Sequence, residues 1–417
     1  MTAAGTRAAC DHGQKLTFTG KTDLMGNTQL APGANVAALR KARGWSQAYL
    51  ARKAAVSVSL LSKVEVGDRA LTPAVAAALG RALALSMDEV LGRAPVAQGD
   101  EARLAALRSA IRDFDLPGKQ RVEADAITAG LSAVGQFRDA VDVTQLLKVL
   151  PGLLRSATTH AYTANTPESW MALAEAYSAV YWLAARHRWM DLAELAVARQ
   201  QWAAEQKPNP LAEAIAVRDR AGTYLNFGDC ETGLVLIERA IAQAQTSLSG
   251  QERDVAVGIL NLRGMTLAGR LDDKREAAKE AERHIRSAQA ASEYFNRDLC
   301  VHGLMFGPQN TLTHQLATTV DLGKPREALA LTDNLSAALD GLPPTRVAPT
   351  YINTARAQLD VGDRDGALEN LGIAWEAAPQ MARIHPMGQE VFRVLASLHR
   401  RSNPQLLKLS KLSGITL

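Results

Sequence analysis

Four short turns, Gly228-Asp229, Gly269-Arg270, Gly323-Lys324 and Gly362-Asp363, each close one apolar stretch of helical period and open another. This alternation constrains the chain more than any other feature, because glycine accepts the left-handed conformation that ends a helix and frees the chain to reverse. In the second helix of each pair a small residue recurs soon after the turn: Gly233, Ala277, Ala328 and Ala367. Small residues let paired helices approach closely. His187-Arg188, ahead of Trp189-Met190-Asp191-Leu192-Ala193, reads as an earlier copy. Stacked hairpins of this kind make a curved α-solenoid with a concave groove; the alternative is an irregular α-helical bundle. Composition agrees with helices over sheets, since 47% of residues are apolar, only 5% are aromatic and about one in six is Ala.

With 417 residues the chain has room for two or three folding units. A charged fraction of 22% and a mean hydropathy of −0.10 exclude a mainly disordered or membrane-embedded chain, and no apolar run approaches 18 residues. The first 30 residues contain no apolar stretch before a small-residue cleavage site, so a cytoplasmic location is expected. Cys10, Cys230 and Cys300 are odd in number, dispersed and never in CxxC spacing, which predicts free thiols. The expected division is a flexible tail over 1–33, a small head over 34–92, a linker over 93–100 and a helical body over 101–417. Met25 is a second candidate start, which would leave 1–24 outside the natural product.

Charge is concentrated in the head. From Ala34 to Arg93 nine basic residues face four acidic ones, a surplus of five, while the rest of the chain sums to −1. Such a basic unit on a nearly neutral body suits contact with a polyanion. Five short helices are predicted here: Val36 to Arg43, Ser46 to Ala54, Ser57 to Val64, Pro73 to Ala84 and Met87 to Leu91. Ser46, Ser57 and Thr72 are their N-caps, Pro73 opens a first turn and Ser86 to Glu89 forms a capping box.

The stretch Leu39-Arg40-Lys41-Ala42-Arg43-Gly44-Trp45-Ser46-Gln47-Ala48-Tyr49-Leu50-Ala51, followed by Val56-Ser57-Val58-Ser59-Leu60-Leu61-Ser62-Lys63-Val64-Glu65-Val66-Gly67, resembles the Cro/C1-type (XRE-family) helix-turn-helix. The resemblance covers about 58 residues. It implies a third helix lying in the major groove of a double-stranded DNA operator. Leu50, Ala51, Val56, Leu61 and Val64 then form the inner wedge, and Val58, Ser59, Ser62 and Lys63 are the candidate base contacts. Lys63 would donate to guanine, the two serines to several bases, and Val58 would pack on a thymine methyl. Gln47, Arg43 and Lys53 are the candidate phosphate contacts. The resemblance also implies a structural ion pair between Arg40 and Glu65. Ala55 departs from the glycine common in the turn between the second and third helices; a left-handed Ala there costs about 1–2 kcal/mol.

Thr166 to Pro379 resembles a degenerate tetratricopeptide-like array, although the turns lie about 41, 41, 54 and 39 residues apart against the usual 34. A head and body of these two kinds resemble bacterial regulators in which a bound signal, often a short peptide, changes DNA affinity. Phe306-Gly307-Pro308-Gln309-Asn310-Thr311-Leu312-Thr313-His314 is similar to a motif in such regulators from antibiotic-producing bacteria. Pro308 should open a helix that aligns Asn310 with His314. These two, with Asn353 and Arg346 on a later helix, are the ligand-binding candidates; capping a helix or tying a turn is the alternative for each. Trp170, Trp182, Trp189 and Trp202, with Tyr177 and Tyr181, are expected in the core, or else as an aromatic pocket or dimer contact. No phosphate loop, HExxH pair, dinucleotide fingerprint or nucleophile elbow occurs, so no enzyme, cofactor or metal is expected. The reading is a DNA-binding transcriptional regulator, a homodimer whose body binds a peptide or small-molecule signal. The rival is an interaction scaffold that the small head tethers to DNA.

Overall fold

Cap chemistry sets the helix boundaries of the head. The computed structural model describes residues 32–69, 71–85, 87–91, 101–399 and 403–415. In it, α1 spans Pro32–Ala42, α2 Gln47–Lys53, α3 Val58–Val66, α4 Pro73–Leu83 and α5 Met87–Leu91. The Ser46, Ser57 and Thr72 side chains accept from the backbone of Tyr49, Leu60 and Val75, which satisfies one free amide at each helix start. Helix α1 begins at Pro32, two residues inside the expected tail. The rest of that tail, Ser86, the linker over 93–100 and Cys10 lie outside the described residues. The head has its own core, built on Val36, Leu50, Leu61, Val64, Leu71 and Leu79. Gly33 permits α1 to cross α3 closely, since a Cβ there would overlap the Val64 carbonyl.

Among the described residues the body is helical apart from one small insertion. It opens with α6 (Glu101–Arg112), α7 (Ala124–Asp139) and α8 (Val143–Ala164), then α9 (Pro167–His187) pairs with α10 (Met190–Ala204) and α11 (Pro210–Phe227) with α12 (Cys230–Ser247). Helix α13 (Gly250–Ala268) pairs with α14 (Lys274–Ser292), α15 (Pro308–Asp321) with α16 (Pro325–Leu329), and, after the short α17 (Leu335–Ala338), α18 (Pro344–Val361) with α19 (Arg364–Ala377). The chain ends in α20 (Met381–Ile384), α21 (Pro386–Leu398) and α22 (Pro404–Ser413). These are the hairpins expected from the turns. Gly228, Gly323 and Gly362 adopt φ of +76°, +76° and +89°, and Arg188 fills the same left-handed place at +57°. Gly269 is right-handed instead, with φ −59°. The recurring small residues Gly233, Ala277, Ala328 and Ala367 are all buried at helix contacts.

The expectation that the chain is helical to its end beyond Asp100 is corrected by one β-hairpin. Strands β1 (Leu299–Val301) and β2 (Leu304–Phe306) pair antiparallel, Leu299 opposite Phe306, across a two-residue turn with His302 at φ +45° and Gly303 at φ +69°. Two successive positive φ values are what a tight hairpin turn needs. This insertion accounts for the 54-residue spacing between Gly269 and Gly323. It docks through Phe306, fully buried, whose ring lies where a side chain on Gly258 would stand.

One continuous apolar core runs from Leu107 to Leu409. The far end of the stack returns to its beginning: the Gln380 carboxamide accepts from the Val143 amide (3.1 Å) and donates to Asp142 (3.3 Å), and α18 packs on α7. The solenoid therefore closes around its concave side. The four tryptophans divide. Trp202 packs edge-to-face with both Phe114 and Trp170, Trp189 stacks on His187, and half-buried Trp182 lines the interior of the stack.

Candidate nucleic-acid interface and internal chamber

The turn between α2 and α3 fixes how the third helix is presented. Ala55 sits there at φ +53°, the left-handed conformation the sequence made expensive. Leu50, Ala51, Leu61 and Val64 are buried, and Val56 packs partly buried against them. That wedge leaves the opposite face of α3 outward. Val58 is 46% exposed, Ser59 and Lys63 are exposed, and Ser62 is half-buried.

Behind this face lies a charged brace. The Arg40 guanidinium grips Glu65 with two bonds of 2.6 and 2.7 Å and also donates to the Trp45 carbonyl at 2.8 Å. The paired side chains are only 10% and 4% exposed. Gln47, placed on the backbone-contact side by the sequence, donates its amide to Glu65 at 2.8 Å, so it belongs to the brace in this structure. Burial pushes the Glu65 carboxyl up, but the bonds from Arg40 and Gln47 and the Arg40 charge outweigh it and hold the group below its ordinary value.

Arg43 and Lys53 also have internal partners. Arg43 donates to the Leu83 carbonyl (2.6 Å) and Lys53 to the Ala82 carbonyl (3.3 Å), satisfying the end of α4. Both cations lie over the Trp45 ring. Lys53 remains exposed and Arg43 half-buried.

The body holds the head from another side. Arg81 donates to the Gly228 carbonyl (2.7 Å) and pairs with Asp272; Glu390 accepts from the Leu71 amide (3.4 Å); Arg188 donates to the Leu91 carbonyl (2.8 Å). Gly228 comes so near Ala77 that a Cβ would overlap it. These contacts run through α4, α5 and the loop before α4, leaving the outward side chains of α3 exposed.

A chamber of about 320 Å³ lies on the concave side, lined by the first helix of every hairpin and by Met87 and Leu91 of the head. Its wall carries eight arginines and one carboxylate, Asp219. Some are compensated: Arg218 pairs with Asp219 (2.6 Å), and Asp321, just behind the wall, takes both Arg270 (2.9 Å) and Arg356 (2.8 Å). Arg138 lies 3.7 Å from Asp139. Arg186, Arg263 and Arg346 enter no ion pair among the described residues, and the Nε of each lacks a hydrogen-bond partner. Burial lowers all three, Arg263 to about 10 and Arg346 to about 9, with Arg218 adding repulsion. They stay charged at neutral pH.

The ligand candidates fall on both sides of this wall. His314, Arg346 and Asn353 line it, the last accepting from Arg356 at 2.7 Å. Burial and then the charges of Arg346, Arg218 and Arg263 drive His314 well below its usual value, keeping it neutral. Asn310 is 1% exposed and is not in the wall; its amide ties the Met305 carbonyl (2.7 Å), while Asp298 caps the Gln309 and Asn310 amides. Asn310 thus has the turn-tying alternative role, joining β2 to α15. Arg346 is already among the candidates read from the sequence, whereas nothing in the residues around Arg186 and Arg263 sets them apart from other helical arginines.

Residues 36–90 match a family model described as Helix-turn-helix. No curated protein matches the chain. No helix among the described residues is long and apolar enough to cross a membrane, and no cluster there has the residues to hold a metal ion.

Proposed function

We propose that the protein is a sequence-specific DNA-binding transcriptional regulator whose head reads an operator through α3 and whose helical body takes up a signal. The observation that carries the reading is the exposed row Val58, Ser59 and Lys63 on the third helix of a matched helix-turn-helix, held by a buried brace. Those side chains have the donors and the methyl groups that major-groove edges recognise. Lys41 at the end of α1 and Arg52 at the end of α2 are exposed cations suited to the phosphate backbone. Control by the body is supported by the shared wall, because α5 both belongs to the head and lines the chamber. A signal bound there would bias how the head is held, and in a homodimer the separation of two heads decides whether both half-sites are met.

The test is selection of bound duplexes from a random pool by the full chain, with and without cell extract. One enriched pseudo-palindromic sequence, bound differently when extract is present, is the expected result. Enrichment of no sequence would remove the regulator reading, and a sequence bound identically in both conditions would favour the scaffold.

A further inference from the structure

A chamber lined by cations is costly to maintain when nothing anionic fills it. Arg186, Arg263 and Arg346 face into it without a carboxylate partner, and Thr345, 3% exposed in the same wall, has a hydroxyl with no hydrogen-bond partner. All three arginine side chains are half-buried, and a partly desolvated charge that lacks a counter-ion opposes folding. Three such guanidinium groups around one space are the arrangement expected of a site, because a guanidinium fork matches phosphate oxygens two at a time. The two histidines in the wall, His314 and His385, are held below their ordinary values by burial and then by neighbouring arginines, Arg346, Arg218 and Arg263 for His314 and Arg186, Arg356 and Arg188 for His385, so the arginines supply the positive charge of the wall.

We infer that the chamber binds a small organic phosphate carrying at least two phosphoryl groups. One carboxylate would leave two of the three arginines uncompensated, whereas a diphosphate carries about the charge that three unpaired guanidinium groups require. The volume admits a molecule of small-ligand size and excludes a nucleic-acid duplex or a folded partner. Trp182 and Tyr181 in the same wall offer a ring and a phenol to the organic part, with Arg186 already 5.0 Å over the Trp182 ring. This inference rests on the signal-binding role proposed above for its biological sense, but anion binding itself does not require the head to read DNA.

Isothermal titration of the full chain with inorganic pyrophosphate, and separately with citrate at matched ionic strength, tests it. Pyrophosphate should bind saturably with one site per chain and raise the melting temperature, and citrate should bind at least tenfold more weakly. Arg263→Met with Arg346→Met should weaken pyrophosphate at least tenfold while raising the melting temperature of the ligand-free chain, since two unpaired, half-buried charges are gone. Should that double variant fail to fold, Arg186→Gln alone should still weaken binding severalfold. Absence of saturable binding, citrate binding as tightly as pyrophosphate, or binding indifferent to these arginines would each overturn the inference. A chain that binds pyrophosphate but selects no DNA would leave this site standing and remove only the regulator reading.

Discussion

Replacing Glu65 by Ala removes the one acceptor on which three donors converge: both forks of Arg40 and the Gln47 amide. The Arg40 guanidinium would keep only the Trp45 carbonyl, at 2.8 Å, and would remain largely buried. Removing one member of a buried pair typically costs about 3–5 kcal/mol because the survivor is left uncompensated. The retained carbonyl bond places Glu65→Ala near the lower end, at about 3 kcal/mol. At about 1.4 kcal/mol per tenfold, the slowest-exchanging amides of α1 and α3 should lose roughly a hundredfold in protection. Hydrogen exchange on the full chain reads this directly, since amides of α13 in the body serve as the internal control. Gln47→Ala, which leaves the bidentate pair in place, should cost only about 1 kcal/mol. The same brace sets a pH dependence. Glu65 is depressed below its unfolded value of 4.5, so its contribution is fully present above that pH and is lost as pH falls through the folded value. A Glu65→Ala chain whose head protection falls less than threefold would refute the argument that the pair is a brace.

Two further substitutions probe the fold. Ala55→Gly should stabilise the head by about 1 kcal/mol, because φ of +53° strains Ala and not Gly; head-amide exchange slowing severalfold is the expected reading. Phe306→Ala should cost about 3–5 kcal/mol by emptying the space above Gly258, lowering the body's melting transition and loosening the β-hairpin in exchange.

Much of the head was legible because its determinants are local. Caps at Ser46, Ser57 and Thr72, the wedge of Leu50 and Leu61, and the Arg40–Glu65 pair sit at fixed offsets in the sequence. The hairpins of the body were legible for the same reason, since a left-handed glycine and a small residue after it act within a few positions. What the sequence did not reveal depends on contacts between distant segments. Closure of the solenoid joins Gln380 to Asp142, and the chamber gathers arginines from α9, α13 and α18, three helices whose proximity follows only from stacking. The Phe306 to His314 motif shows the limit most clearly. Its spacing correctly opened a helix at Pro308 and brought His314 to the chamber wall, but Asn310 on the same helix turned to Met305, because the preceding strands needed a tie that no local pattern announced. Gln47, Arg43 and Lys53 were likewise assigned from position alone, before their internal partners Glu65, Leu83 and Ala82 were visible.

If the outward face of α3 reads base edges, removing the Lys63 ammonium must change sequence preference and not only affinity. Lys63 is exposed on that face and has no part in the brace. Binding of the full chain and of Lys63→Ala should be measured by fluorescence anisotropy on the selected operator and on a scrambled duplex, at one fixed salt concentration. Lys63→Ala should lose about 1–3 kcal/mol on the operator and much less on the scrambled duplex, and should relax preference at one base pair per half-site. Equal weakening on both duplexes would move Lys63 to the phosphate backbone, and no change on either would contradict the claim that this face meets DNA.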